Sequence, residues 1–249
     1  MSKRLVTFGD SWTVGHCSDL VEAGLFTDMS NVTTIKNFHD ESLVFKTPWP
    51  NLVASKLGLD VKNYALPGMS NKNIVAQLYD SLVFSDLDSD NDIVIVLLST
   101  WHRGSEWDGL CVGKTGRSIF NRFYFPRTSS FFKPQQPKVT DGLVDIDQSN
   151  LEKKSYDAFF DYFSVVNCLK AAGIKNYFIG WAFTQIDDFA VNISKEYKEE
   201  ILNNTRLLEP FVNFCKIIDY MNLLHPTLED HNSYADYVVN KIKGYHVHG

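Results

Sequence analysis

Arg4-Leu5-Val6-Thr7-Phe8-Gly9-Asp10-Ser11-Trp12-Thr13 holds the first clear pattern of the chain. Leu5 to Phe8 reads as a short buried strand, too brief and too β-branched for a helix. Gly9 then allows a sharp turn, and Asp10 and Ser11 are turn and helix-cap residues. In an open parallel α/β sheet, ligands bind at the carboxyl ends of the strands. A serine hydroxyl placed there, at the start of a helix, is a nucleophile, an anion ligand or simply the cap of that helix.

Outward from this turn, strands and helices alternate. Asn51 to Leu57 has apolar residues at helical spacing and stops at Gly58, a C′ glycine. Val61 to Leu66 is a second strand, and Pro67-Gly68-Met69-Ser70-Asn71 turns out of it. Ile74 to Phe84 predicts a helix with Ile74, Val75, Leu78, Leu82 and Val83 on one broad face. Asp92-Ile-Val-Ile-Val-Leu-Leu98 is apolar throughout, as expected for a central parallel strand buried on both faces. It opens into Ser99-Thr100-Trp101-His102-Arg103. Tyr156 to Ala172 predicts a helix closed by Gly173, followed by the strand Asn176 to Trp181. Ser194 to Leu208 predicts an outer helix, Phe214 to Tyr220 a last strand, and His231 to Ile242 a closing helix stopped by Gly244. The alternation implies an α/β fold: a three-layer α/β/α sandwich on a parallel, flavodoxin-like doubly wound sheet, as one domain over residues 1–249.

Two stretches break the pattern. Residues 16–45 are polar and mixed, an insertion or a capping loop. Residues 104–150 lack periodicity yet hold many aromatics, from Trp107 to Phe132, with Arg117, Arg122 and Arg127 among them. A stretch of that length without elements reads as a lid or binding loop, or else as a satellite cluster packed on the body.

Composition narrows the classes. The 44% hydrophobic and 22% charged residues of this 249-residue chain support a sizeable core rather than disorder. A net charge of −6 disfavours nucleic acid as a partner, since phosphate binding needs clustered Lys and Arg. No apolar run approaches the roughly 18 residues of a membrane span, and the basic start lacks a signal-peptide core. The expected site of synthesis is therefore the cytoplasm. Cys17, Cys111, Cys168 and Cys215 are scattered without CxxC spacing and read as free thiols. His246 and His248 form an HxH near the end, read as a loose tail rather than a metal site. No GxSxG elbow, Walker motif or GxGxxG is present.

Three loops should therefore meet at one sheet edge, Gly9 to Ser11, Gly68 to Asn71 and Ser99 to Arg103, and His225 arrives in a fourth. Strand-Gly-Asp-Ser, then Gly-x-Ser-Asn, then His225-Pro226 before a terminal helix resembles the SGNH, or GDSL, hydrolase family of esterases and lipases. The blocks fall in family order from residue 5 to residue 242. The resemblance implies Ser11 as nucleophile, the backbone N–H of Gly68 in an oxyanion hole, and His225 as base.

Two positions depart from the family. Its third block, Gly-x-Asn-Asp, supplies an asparagine donor to the oxyanion, and Trp101 stands there in this chain. The donor is missing there, or is supplied by Thr100, His102 or Arg103, or by Asn71 from the second block. The family also carries a carboxylate three residues before the base, where this chain has Asn222. An asparagine accepts from the imidazole N–H but brings no charge; Asp219 and a backbone carbonyl are the other candidates. In serine proteases the Asp-to-Asn change costs about 10⁴ in kcat. The expected activity is a serine esterase acting through an acyl-enzyme on a small acyl ester, such as O-acetyl on carbohydrate, with no metal or organic cofactor. The competing class is a catalytically weakened module that binds glycan or a partner protein. Phosphate or FMN binding at Ser11 to Thr13 is a third, but it leaves His225-Pro226 without a role.

Overall fold

The structure, a computed structural model, describes residues 3–15, 48–66, 69–99, 148–182, 195–215 and 226–248. Its centre is a parallel sheet. β1 (Arg4–Phe8) lies between β2 (Asp60–Asn63) and β3 (Asp92–Leu98), and β4 (Asn176–Trp181) flanks β3, giving the order β2-β1-β3-β4. All seven residues of β3 are buried, as its unbroken apolar run requires of a strand covered on both faces.

Helices cover both faces, and side-chain alternation sorts the core into two layers. Val6, Phe8, Val94, Val96, Leu98, Tyr177 and Ile179 face one layer, with α3 (Asn71–Val83) and α4 (Gln148–Ala171) packed over them. Leu5, Ile93, Ile95, Leu97 and Phe178 face the other, under α2 (Trp49–Leu57) and α6 (Leu228–His248). This is the doubly wound α/β/α sandwich expected from the alternation. α1 (Ser11–Val14) and α5 (Lys195–Leu202) complete the helices, and a 3-10 turn spans Phe211–Phe214. Among the described residues, no helix is long and apolar enough to cross a membrane.

Several boundaries differ from expectation, each for a local reason. α2 ends where the glycine pattern placed it, with Gly58 left-handed at φ 65°. α3 begins three residues early because Ser70 caps it, its side chain accepting from the Asn73 N–H. Val83, expected on the buried face, is exposed, whereas Ile74, Val75 and Leu78 are buried. α4 starts at Gln148, inside the stretch 104–150 read as a lid or binding loop, because its polar first turns carry no apolar period to detect. α5 stops at Leu202 rather than Leu208. Asn204 turns the chain, its Oδ1 accepting from the Arg206 N–H.

The chain then enters the sheet earlier than expected. Leu207 bridges in parallel to Ile179, and the Leu208 N–H donates to the Ile179 carbonyl at 2.8 Å. Phe214, taken as the start of the last strand, instead ends the 3-10 turn, and residues 216–220 of that expectation lie outside the described residues. α6 runs through Gly244 to His248, so His246 and His248 lie in a helix and not in a tail. A glycine inside a helix costs about 1 kcal/mol. Tyr245 offsets it by packing edge-on against Phe178 and accepting from Nε and Nη2 of Arg206. Cys168 and Cys215 are free and half-buried; Cys17 and Cys111, with residues 16–45, lie outside the described residues.

Candidate functional site

The carboxyl end of β1 is built to hold Ser11 in one place. Gly9 follows the strand where a side chain has no room: a Cβ there would lie 2.7 Å from Thr13 Cβ and 3.0 Å from the Leu97 carbonyl oxygen. Asp10 is extended and caps α1, its Oδ1 accepting from the Trp12 N–H at 3.0 Å. Asp10 thus accepts a backbone N–H in its turn, as expected of it. Ser11 opens α1 and is 3% exposed.

A second set of contacts ties this turn to its neighbours. Asn63, the last residue of β2, accepts from Thr7 Oγ1 and from the Ala65 N–H through Oδ1, and donates from Nδ2 to the Thr13 carbonyl. One carboxamide therefore joins the end of β1, the end of β2 and the far side of the serine turn. Past Asn63 the chain stays alongside β1, with the Tyr64 N–H on the Thr7 carbonyl and the Leu66 N–H on the Gly9 carbonyl. The second loop is guided to the serine turn up to residue 66.

Ser99 follows the last residue of β3 and lies beside Asp10. Its hydroxyl donates to Asp10 Oδ2 at 2.6 Å, and its backbone N–H donates to Asn71 Oδ1 at 2.7 Å. Asp10, Ser11, Asn71 and Ser99 are all buried. Polar groups buried together at the rim of an apolar core stay only if they are mutually satisfied, and here one residue satisfies two others. Asn63 falls inside the predicted second strand and Ser99 in the loop after the central one, and neither carries a role in the sequence reading. Their function rests on contacts between strands distant in sequence, which no local pattern encodes.

The start of α6 lies at the same edge. Trp12 packs edge-on against Phe211, and Phe211 stacks on Tyr234 of α6 at 4.3 Å and lies edge-on to His231. His231 is fully buried, and its Nδ1 accepts from the Trp49 N–H that opens α2. It is a helix-packing group, joining the start of α6 to the start of α2. Thr227 and Asp230 form a capping box at the start of α6: Thr227 Oγ1 accepts from the Asp230 N–H, and Asp230 Oδ2 from the Thr227 N–H. With Pro226 buried, the chain following His225 is anchored at the edge that carries Ser11.

Of the sequence-predicted site residues, the structure brings Ser11 and Asn71 to one edge, linked through Asp10 and Ser99. Gly68, Thr100, His102, Arg103, Asn222 and His225 lie outside the described residues, as do Trp101 and Asp219.

The comparisons address this arrangement as a fold. No protein-family model and no curated protein matches the chain. Among solved structures, a carbohydrate esterase described as having divergent catalytic and non-catalytic binding functions aligns over 98% of this chain and 66% of its own, at 14% identity and a TM-score of 0.50. The chain has the SGNH hydrolase fold. A carbohydrate acetylesterase family member from Sinorhizobium meliloti aligns over 97% of this chain and 98% of its own, at 10% identity and a TM-score of 0.49. A lipolytic protein of the G-D-S-L family from Desulfitobacterium hafniense aligns over 96% and 99%, at 13% identity and a TM-score of 0.47. At these identities the SGNH likeness is one of backbone course, and the chemistry has to be argued from the residues.

Proposed function

We propose that this SGNH-fold chain is a serine ester hydrolase with Ser11 as nucleophile and His225 as general base. The observation that carries the reading is the serine turn itself. A residue that serves only as a helix cap does not need a neighbour stripped of its Cβ, a carboxylate fixed behind it and a further loop bonded to that carboxylate.

Ser11 Oγ adds to the ester carbonyl carbon, the π pair moves onto the carbonyl oxygen, and the hydroxyl proton passes to His225. Backbone N–H groups of Ser11 and Gly68 hold the oxyanion. The pair then returns, and the alkoxide leaves with the proton from His225. Water repeats the sequence on the acyl-enzyme. Asn222 would orient the imidazole by accepting its second N–H. The buried Pro226 and the capping box at Thr227 support this role for His225, because they fix the chain next to it. A small acyl ester, such as O-acetyl on carbohydrate, is the substrate class. It agrees with the naming of the aligned carbohydrate esterase and with the aromatics of residues 104–150, which suit sugar faces.

The test is turnover of a short-chain aryl ester and of an O-acetylated oligosaccharide by the full chain. The wild type should hydrolyse at least the aryl ester, and Ser11→Ala should lose nearly all of that activity while keeping its melting temperature within a few degrees. An Ser11→Ala protein with wild-type turnover ends the mechanism. A folded wild type inert to every acyl ester favours the binding-module reading instead.

A further inference from the structure

The third loop has Trp101 where the resembled family carries its asparagine, so any side-chain donor to the oxyanion comes from elsewhere. We infer that Asn71 supplies it, with its carboxamide locked into the donating orientation by the backbone of Ser99. This inference rests on the ester-hydrolase reading and names one more group in that site.

Three observations converge. First, the orientation of the amide is dictated. Ser99 N–H is a donor without alternative, so the Asn71 atom 2.7 Å from it must be the carbonyl oxygen, and the –NH₂ takes the opposite side. Second, Asn71 is only 4% exposed, and among the described residues Nδ2 meets no acceptor. A buried amide is normally satisfied at both ends, and a donor left available at a ligand-binding edge is a donor for a ligand. Third, the position suits the oxyanion. Ser99 bonds Asn71 with its N–H and Asp10 with its hydroxyl, so a single residue separates the Asn71 carboxamide from the neighbour of Ser11.

The arrangement is also stiff. Asn71 is the first residue of a 13-residue helix capped by Ser70, and Ser99 directly follows the fully buried β3. A donor held by such elements needs no reorganisation as charge develops, which is where oxyanion donors gain their effect. Ser99 is accordingly a positioning residue and Asn71 a catalytic one.

Asn71→Asp separates the two roles. The carboxylate still accepts from the Ser99 N–H, so the local structure has its bond, but the donor is replaced by a negative oxygen. With a short-chain aryl ester as substrate, kcat should fall by about 10²–10³ with KM changed by less than about threefold, the usual result of removing one oxyanion donor. Inactivation by a fluorophosphonate, whose tetrahedral adduct carries the same oxygen, should slow in parallel. Asn71→Ala carries the same expectation and replaces Asn71→Asp should that variant not fold, as judged by circular dichroism. A folded variant of either kind with wild-type kcat overturns the assignment and leaves the donor to Thr100, His102 or Arg103. A loss confined to KM overturns it as well, since it makes Asn71 a ground-state contact. A wild type that is active and lost in Ser11→Ala keeps these outcomes apart from failure of the hydrolase reading; an inert wild type removes both.

Discussion

At the scale of single residues, the serine turn rests on an absence of side chain. Gly9 is not in a left-handed conformation, and its requirement is one of space: any Cβ would meet Thr13 Cβ at 2.7 Å and the Leu97 backbone at 3.0 Å. Neither contact is the flexible end of a side chain, so relief has to come from the backbone of the turn. Gly9→Ala should therefore cost about 1–3 kcal/mol, the range for overpacking a filled site. Chemical denaturation reads this directly, and an unchanged midpoint would mean that the turn has slack the contacts do not show. The same scale explains what the sequence hid. Gly9, Asp10 and Ser11 were legible because a glycine and two capping residues after an apolar run have few other meanings. Asn63 and Ser99 were not, because an asparagine and a serine at strand ends are ordinary loop residues until the partner strands are laid beside them.

At the scale of elements, the packing of α3 on α4 contains a carboxyl group with an altered acidity. Burial pushes the Asp161 carboxyl up to about 7; Lys72 of α3 opposes the shift, and Asp157 on the same helix adds to it. Lys72 pairs with Asp157 at 3.6 Å, so the cation is already shared between two carboxylates. The folded protein thus holds this proton over a range where the unfolded chain, with an ordinary aspartate near pH 4, has lost it. The associated stability is fully present below pH 4 and is lost as pH rises through about 7. Asp161→Asn should flatten that slope between pH 4 and 7 and raise the denaturation midpoint at pH 8, with little change at pH 4. A variant that keeps the wild-type slope would place the titration elsewhere. Elements with a strong period, β3, α2 and β4, were legible from their apolar residues alone. The start of α4 and the end of α6 were not, since one is polar and the other is carried past Gly244 by Tyr245 and its contacts with Phe178 and Arg206. The fifth sheet position was misplaced for a similar reason: a single bridge at Leu207 has no run of β-branched residues to announce it.

At the scale of the whole molecule, the chain order brings distant blocks to one edge, and the fold was legible because parallel α/β sheets leave few other topologies. The aromatic segment between β3 and α4 has no period, so neither propensity nor alternation could assign it. It joins β3, which ends at Leu98, to α4, which starts at Gln148, and its reading as a lid or binding loop has a direct test. Replacing residues 112–145 with a short Gly/Ser bridge should raise KM for an O-acetylated oligosaccharide severalfold and leave kcat on a small aryl ester within about threefold. A truncated protein that unfolds would make the segment part of the core instead, and one with both constants unchanged would remove it from substrate binding. The central claim, that Ser11 is an activated nucleophile, is tested most directly by mass spectrometry of the folded wild type after treatment with a fluorophosphonate. An activated Ser11 forms an O–P bond with loss of fluoride, so a single adduct is predicted on the peptide containing Ser11, absent after unfolding and absent in Ser11→Ala. An unlabelled folded protein, or an adduct on any other residue, would contradict it.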